Sequence, residues 1–552
     1  MSSNEILRVP GEAIEKSEDS SRSEDTTGEI PSYLGVSGQK LHVAISMLAG
    51  VGFLLFGYDQ GVMGSLLTLE SFRDTFPSID TIRKPSRSTM QGFVIAIYEI
   101  GCFSGALSTM AVGDKFGRRK MIFAGAVVMI VGGILQATAF SVGHLIAGRI
   151  VSGIGNGCIT STVPMWQSEC AKPHRRGALV MMQGALITCG ICISYWIDFG
   201  FYFAKGSVSW RFPIAFQIVF AIAILPFIMK LPESPRWLLK KGHHAEALKV
   251  FASLEGVTSD DRWVQTEFQE VKASLDEEAN SGAEKMDIKR MFTQGEHRNF
   301  HRVMLALWSQ IMQQITGINL ITYYAGTIFE QYIGLPPLQS RILAACNGTE
   351  YFLASWIAFF TIERFGRRPL MLFGAAGQAI TMAILTGTTW AADVTHNNDS
   401  HAAVAAAVFL FIFNTFFAIG WLGMTWLYPA EIVPLSIRAP ANGLSTAGNW
   451  SFNFMVVMIT PVAFENISSY TYTIFAVINA LMVPVVYFLY PETAGRTLEE
   501  MDRIFALSDP KKPWQVVRIA REMPYEIPKD QRDPRAADVE KAQAEHIEST
   551  TE

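Results

Sequence analysis

The sequence predicts an all-α membrane protein: twelve transmembrane helices in two six-helix halves, with a small cytoplasmic helical module between them. Three observations carry this. Apolar runs of about 20 residues recur along the 552-residue chain, each long enough to cross a hydrocarbon layer of roughly 30 Å. Charged residues make up 17% of the chain against 49% hydrophobic, where a soluble domain carries about a quarter charged. Three short motifs also occur twice, about 250 to 262 residues apart, which marks an internal duplication.

The apolar runs place spans near residues 42–66, 91–112, 120–140, 143–166, 178–200, 210–231, 302–333, 340–362, 370–390, 404–428, 439–463 and 470–490. Residues 1–41, rich in Ser and Glu, read as a disordered tail and not as a signal peptide. The N-terminal half is 42–231 and the C-terminal half 302–490; between them 232–301 has helical periodicity over Ala245–Leu254 and Trp263–Leu275. Residues 491–552 form a tail, expected to be disordered from 507 on. An even number of spans puts both ends on one side. The loops Asp114–Lys120, Lys172–Arg176 and Glu363–Arg368 are dense in Lys and Arg, whereas 139–142, 393–401 and 464–469 have almost none. Basic loops stay in the cytoplasm, so both termini are expected there. Arg73, Arg83, Lys84 and Arg87 in the loop 67–90 oppose this, against the agreement of the other short loops.

Composition also excludes. A net charge of -5 argues against a nucleic-acid partner. Cys102, Cys158, Cys170, Cys189, Cys192 and Cys346 lie in or beside apolar segments, so no disulfide framework is indicated, and the CxxC at Cys189 and Cys192 reads as packing. No phosphate-binding loop, metal-binding helix motif or nucleophile elbow is present, so neither an enzyme, a cofactor nor a metal is expected. Gly153-Ile-Gly-Asn-Gly157 falls within the fourth span, where small residues let helices approach closely.

The repeated motifs are Asp114-Lys-Phe-Gly-Arg-Arg119 with Glu363-Arg-Phe-Gly-Arg-Arg368; Glu169, seven residues before Arg176, with Glu431, seven before Arg438; and Pro232-Glu-Ser-Pro-Arg236 with Pro491-Glu-Thr-Ala-Gly-Arg496. All sit at cytoplasmic helix ends. Arginines there pair with carboxylates and with the last carbonyls of helices. Asp114, Arg118, Arg119, Glu169, Arg176, Glu363, Arg367, Arg368, Glu431 and Arg438 are therefore expected to gate, holding the inner side shut; the alternative is a purely topological signal.

Charges inside spans are expensive and point to function. Asp59, Glu99 and Arg149 fall at similar depth, and a buried carboxylate near an arginine can alternate between protonated and ion-paired states, as a proton carrier must. A static ion pair is the competing reading. The seventh span carries Gln310, Gln313 and Gln314 on one stripe, followed by Asn319; the eleventh carries Asn449 and Asn453 one turn apart. Amides donate and accept at once, which suits a neutral polyhydroxylated ligand, and Trp426 offers a flat face to its C–H groups. Helix-to-helix hydrogen bonding is the alternative fate of such amides.

Taken together, the two Gly-Arg-Arg loops, Pro232-Glu-Ser-Pro-Arg-Trp-Leu238, Gln313-Gln-Ile-Thr-Gly-Ile-Asn319 and Pro491-Glu-Thr-Ala-Gly-Arg-Thr-Leu-Glu-Glu500 resemble the sugar porter family of the major facilitator superfamily, over roughly residues 42–505. Tyr195-Trp-Ile-Asp-Phe-Gly200, Trp210-Arg-Phe-Pro213 and Tyr490-Pro-Glu-Thr-Ala-Gly495 are similar to fungal members, both monosaccharide transporters and yeast-type glycerol/proton symporters. The resemblance implies the major facilitator fold and alternating access. It implies proton coupling at Asp59, within Gly57-Tyr-Asp-Gln-Gly61, with Arg149. It implies sugar contacts at Gln313, Gln314, Asn319, Trp426 and Asn449, and an outer gating pair at Tyr323 and Tyr324. The chain departs from the family at Tyr351, where hexose transporters place Asn, at Gly184, with Gln183 beside it, where they place Gln, and at Ala418, where a carboxylate is frequent; Tyr351 and Gln183 are expected to line the substrate site in their place. That questions glucose and leaves pentoses, polyols and glycerol open.

The expectation is a monomeric importer of a small neutral sugar or polyol with protons, multi-pass in the plasma membrane. A fungal secondary-metabolite exporter and a non-transporting nutrient sensor are the alternatives. Sequons at Asn398 and Asn466 fall in expected outer loops and are expected to carry glycans.

Overall fold

Every predicted span is helical in the computed structural model, which describes residues 30–171, 176–280, 288–295, 297–392, 400–434, 437–496 and 498–524. Spans 1 to 6 are Gln39–Leu66, Ser88–Phe116, Arg118–Ala137, Val142–Glu169, Arg176–Phe201 and Val208–Ile228. Spans 8, 9, 11 and 12 are Pro337–Phe365, Arg367–Ala392, Arg438–Ile467 and Tyr470–Leu489. Two spans are broken. Span 7 runs as Asn299–Ile315, then Ile318–Thr327, then one π-helical turn, Ile328–Tyr332; span 10 runs as Ser400–Gly420, then Met424–Ile432. The first break falls at Gly317, whose φ of +95° is a conformation glycine adopts without strain.

Eight of the long helices among the described residues are long and apolar enough to cross a membrane by composition alone. The helices of spans 4, 7, 8 and 11 are too short or too polar to join them. These carry Arg149, the three glutamines, Glu350 and the Asn449–Asn453 pair, and nearly all of these side chains are buried. Polar groups in hydrocarbon must be satisfied inside the bundle, so these four helices turn their polar residues inward, as spans 1, 2 and 5 do with the single carboxylates Asp59, Glu99 and Asp198.

Spans 2 and 11, 5 and 8, and 1 and 7 form the main contacts between the halves. Within the N-terminal half, spans 2 and 4 pack backbone to backbone: a Cβ on Gly153 would lie 2.3 Å from the Tyr98 carbonyl oxygen, and one on Gly157 only 2.1 Å from that of Cys102. Span 5 carries the free Cys189 and Cys192, and the latter touches Thr349 across the interface between the halves.

Helices Pro235–Lys240, His244–Glu255, Arg262–Asn280 and Ile288–Met291 fill the expected linker. They share one face of the bundle, the terminal face, with both described ends; the other is the distal face. The N-terminal tail expected to be disordered through 41 is packed from residue 30: Tyr33 pairs with Val36, Gly38 donates to the Ser253 carbonyl at 2.7 Å, and span 1 starts at Gln39. The tail beyond 507 is likewise corrected in part. Gln515–Glu522 is a helix with Val516, Val517 and Ala520 buried, held where Arg496 donates to the carbonyls of Ala520 and Met523 at 2.7 and 2.8 Å. Its apolar stripe is only two turns long and sits among Lys and Arg. Residues 1–29 and 525–552 lie outside the described residues, as does Asn398; Asn466 is exposed at the distal end of span 11.

Overpacking a tight contact costs about 1–3 kcal/mol, and here the obstacle is backbone. Gly157→Val is therefore expected to lower the thermal unfolding midpoint in detergent, while Gly143→Ala, with open space around it, leaves the midpoint unchanged. Fluorescence-detected size exclusion after a heating series measures both.

Candidate functional site

Span 7 builds one wall of a polar cluster. Gln310, Gln313 and Gln314 share a stripe, and the first two reach carbonyls of span 10 at and just past its break. Gln310 Nε2 donates to the Thr425 carbonyl at 2.9 Å, and Gln313 Nε2 donates to those of Trp421 and Leu422 at 3.1 Å. Their own oxygens face span 11, where Asn449 Nδ2 donates to Gln310 Oε1 at 2.7 Å and to Gln313 Oε1 at 3.0 Å. Just past the Gly317 break, Asn319 donates to Asn453 Oδ1 at 2.8 Å and also to Gln314. These six amides are between 1% and 7% exposed. The cluster is neutral and two-sided in hydrogen bonding, so hydroxyl groups can replace amide-to-amide bonds one for one. Trp426 is half-buried beyond the span-10 break, and Trp450 meets Phe56 of span 1 edge-on at 5.5 Å, across the halves.

A charged cluster lies opposite, in the N-terminal half. Asp59, Glu99 and Arg149 are fully buried. Arg149 Nη1 stands 3.6 Å from Asp59 Oδ1, Nη2 donates to the Ile95 carbonyl at 2.9 Å, and the guanidinium lies 4.6 Å from the Tyr98 ring centre. At 3.6 Å the pair is an ion contact without a hydrogen bond, and neither Asp59 oxygen has a hydrogen-bond partner among the described residues. Glu99 accepts a hydrogen bond from the Tyr323 hydroxyl. The two clusters are thus joined through span 7, which carries both Asn319 and Tyr323.

With this geometry in place, the relatives can be read. The model of the sugar (and other) transporter family matches residues 45–505. The chain belongs to that family. It is 41% identical over 502 residues to the sugar transporter STL1 of Saccharomyces cerevisiae, covering 89% of this chain and 86% of STL1. It is 38% identical to the major facilitator superfamily transporter mfsA of Aspergillus fumigatus, covering 89% and 90%. The proton:xylose symporter XylE bound to 6-bromo-6-deoxy-D-glucose superposes with a TM-score of 0.71 at 25% identity, covering 84% of this chain and 99% of that one. The fold is the twelve-helix major facilitator fold, and the chain is a multi-pass membrane transporter, not an enzyme.

Elsewhere in this sugar transporter family member, the sequence-predicted residues divide. Tyr323 links the halves through Glu99, whereas Tyr324 donates to the Val457 carbonyl at 2.8 Å inside its own half. Gln183 is bonded to Gln167 at 2.5 Å and Tyr351 meets Phe417 edge-on at 6.2 Å, so neither joins the amide cluster. At the terminal face Arg118 pairs with Asp114 and Glu169, both at 3.0 Å, and Arg367 pairs with Glu363 at 3.0 Å and Glu431 at 2.7 Å. Arg119 and Arg368 donate to the Met229 and Tyr487 carbonyls at the ends of spans 6 and 12, and Arg438 donates to the Val433 carbonyl. Shutting the inner side needs such contacts to cross between halves; these stay within each half. Arg176 opens span 5.

The third motif has a role of its own. Glu233 accepts from the N–H groups of Arg118 and Arg119 at 3.1 and 3.2 Å, and Glu492 from those of Arg367 and Arg368 at 2.9 and 3.0 Å. Each carboxylate caps the N-terminus of a span, where its charge meets the helix dipole. Burial pushes the Glu233 carboxyl above its ordinary range, against the opposing pull of these donors.

Two carboxylates inside spans, one buried and one partly buried, escaped the sequence reading, although charge inside an apolar run marks both. Asp198 in span 5 is 2% exposed, and Glu350 in span 8 accepts from the Thr415 hydroxyl at 2.5 Å. Arg341, also missed, falls at the margin of an expected span.

Tyr323→Phe removes one hydroxyl and leaves Glu99 buried without that partner, at a cost of about 1–3 kcal/mol. Hydrogen exchange in segments 95–102 and 318–327 is expected to rise together, because the bond joins them; a rise confined to 318–327 would contradict the link.

Proposed function

We propose that the protein imports a small neutral sugar or polyol together with protons by alternating access, in the plasma membrane, as a monomer, with the terminal face in the cytoplasm. The observation that carries this is the loosely paired, fully buried Asp59–Arg149 contact beside Glu99, one hydrogen bond away from the span that carries the amide cluster. Substrate hydroxyls take over bonds that Gln310, Gln313, Gln314, Asn319, Asn449 and Asn453 make with one another, and Trp426 stacks against the ligand's apolar face. Movement of span 7 then pulls Tyr323 from Glu99. With the distal side open, Asp59 takes a proton from external water; with the inner side open, Arg149 recaptures the carboxylate and the proton leaves. The charge clusters of Arg118 and Arg367 keep each half rigid while it rocks. The relatives named as a sugar transporter and a proton:xylose symporter support the class of substrate and the coupling.

The missing family contacts at Tyr351, Gly184 and Ala418 favour a pentose, a polyol or glycerol over glucose. A panel of labelled hexoses, pentoses and polyols, offered at acidic and near-neutral external pH to a host lacking its own uptake, tests the reading. Uptake of at least one is expected, faster in acid. Asn449→Ala removes a hydrogen-bonding group worth about 1–3 kcal/mol and is expected to raise the KM by roughly 5- to 150-fold. Uptake of none of the panel, with export of another compound, would replace the reading with the exporter alternative.

A further inference from the structure

At the distal face one cation holds elements of both halves. Arg341, near the start of span 8, is 3% exposed. Nη1 pairs with Glu330 at 3.1 Å, in its own half; Nη2 donates to Thr68 Oγ1 at 2.7 Å, just past span 1; and the guanidinium lies 4.4 Å from the ring centre of Tyr202, just past span 5. One turn before Tyr202 on span 5, Asp198 is buried with neither oxygen hydrogen-bonded among the described residues. Arg341, lying over the Tyr202 ring, stands one helical turn along span 5 from Asp198.

The groups around this pair are otherwise engaged. Tyr58 of span 1 donates to the Pro213 carbonyl at 2.7 Å, and Tyr195 on span 5 donates to the Thr322 carbonyl of span 7 at 2.5 Å. On span 6, Arg211 donates to the carbonyls of Ala137 and Ala139 at 2.5 and 2.9 Å. Arg73 and Arg83 stand 3.8 and 3.3 Å from Asp80 in the loop after span 1. When the distal side opens, Arg341 leaves with Glu330, which belongs to the same half, and Asp198 stays with Thr68 and Tyr202, facing water. Closure strips that water away and returns a cation already shared with Glu330. An ionised carboxylate left without hydrogen bonds in such a place is costly. The acid form costs less.

We propose that Asp198 is a second proton-binding carboxylate, protonated from external water as the outer side closes, with Arg341 as the latch of that closure. The proposal rests on the orientation given above. The carboxylate takes one proton from external water on closing and returns it to the same side on reopening, so no net charge crosses at this site and the coupling at Asp59 keeps its stoichiometry. At Asp198 the closed form binds one more proton than the open form, so acid favours closure at this site; Asp59, loaded with the distal side open, acts in the opposite sense, and Asp59→Asn removes that opposing proton. Over the range in which the two forms differ by a full proton, the closed-to-open ratio falls about tenfold for each pH unit of rise.

The test reads conformation and not uptake. Donor and acceptor dyes are placed by unnatural amino acids at Ser86 and Gln339, both exposed at the distal face, in the full chain reconstituted in nanodiscs without substrate. Single-molecule transfer then reports the closed fraction across a pH series. All chains carry Asp59→Asn, and this parent chain is expected to open as pH rises. Asp198→Asn is expected to stay closed throughout, Asp198→Glu to restore the pH dependence, and Arg341→Gln to lower the closed fraction while keeping a pH slope. The parent's slope retained when Asp198→Asn is added overturns the proposal. A parent chain with no slope also overturns it, while leaving the symport reading standing, because that reading is carried by Asp59.

Discussion

A polar side chain within a hydrocarbon layer has no water to fall back on, so it must find its partner inside the protein. In this transporter the partners are found mostly along the seam between spans 7, 10 and 11 and across the plane where the halves meet. The amides of span 7 are satisfied by carbonyls of span 10 and by Asn449 and Asn453 of span 11. Glu99 is satisfied by a tyrosine from the other half. Bonds of this kind are exchangeable. An apolar seam can only be parted, whereas an amide-to-amide bond can be handed to a hydroxyl and a carboxylate can exchange its donor for a proton. The same requirement that makes the polar spans poor lipid-facing helices makes them suitable for binding.

The terminal face shows the complementary design. Arg118 and Arg367 each tie the loop after one span to the end of another, and Glu233 and Glu492 cap the next helix with paired N–H bonds. All of these contacts are internal to a half. Charge-assisted, multiply bonded corners of this sort resist deformation, so the halves can tilt as units while the softer bonds between them change. The duplication in the sequence records that each half needs the same corner.

Sequence patterns carried the spans, the repeat and the glutamine stripe because each is a local regularity: a run of apolar residues, a recurring hexapeptide, a spacing of three and four. They also placed Asp59 and Arg149 at one depth, and the two side chains do meet. What escaped depends on rotation and on distant partners. The helical face of Glu99 could not be read from span 2, and its partner Tyr323 lies 224 positions away. Whether the motif arginines bond within or between halves is invisible to spacing. Gln183 and Tyr351 were placed by counting along spans, and each packs against a neighbour outside the amide cluster. The helix Gln515–Glu522 was hidden because its buried stripe is too short to stand out from the basic residues around it.

Asp59 is the proposed carrier of the coupled proton. The most direct measurement places the purified protein in liposomes loaded with a pH indicator and adds a transported substrate outside, with no initial proton gradient. The interior is expected to acidify as substrate enters. Asp59→Asn is expected to abolish the acidification while substrate exchange across the membrane persists. Acidification at the wild-type rate in Asp59→Asn, or substrate entry in the wild type with no proton movement at all, would contradict the account.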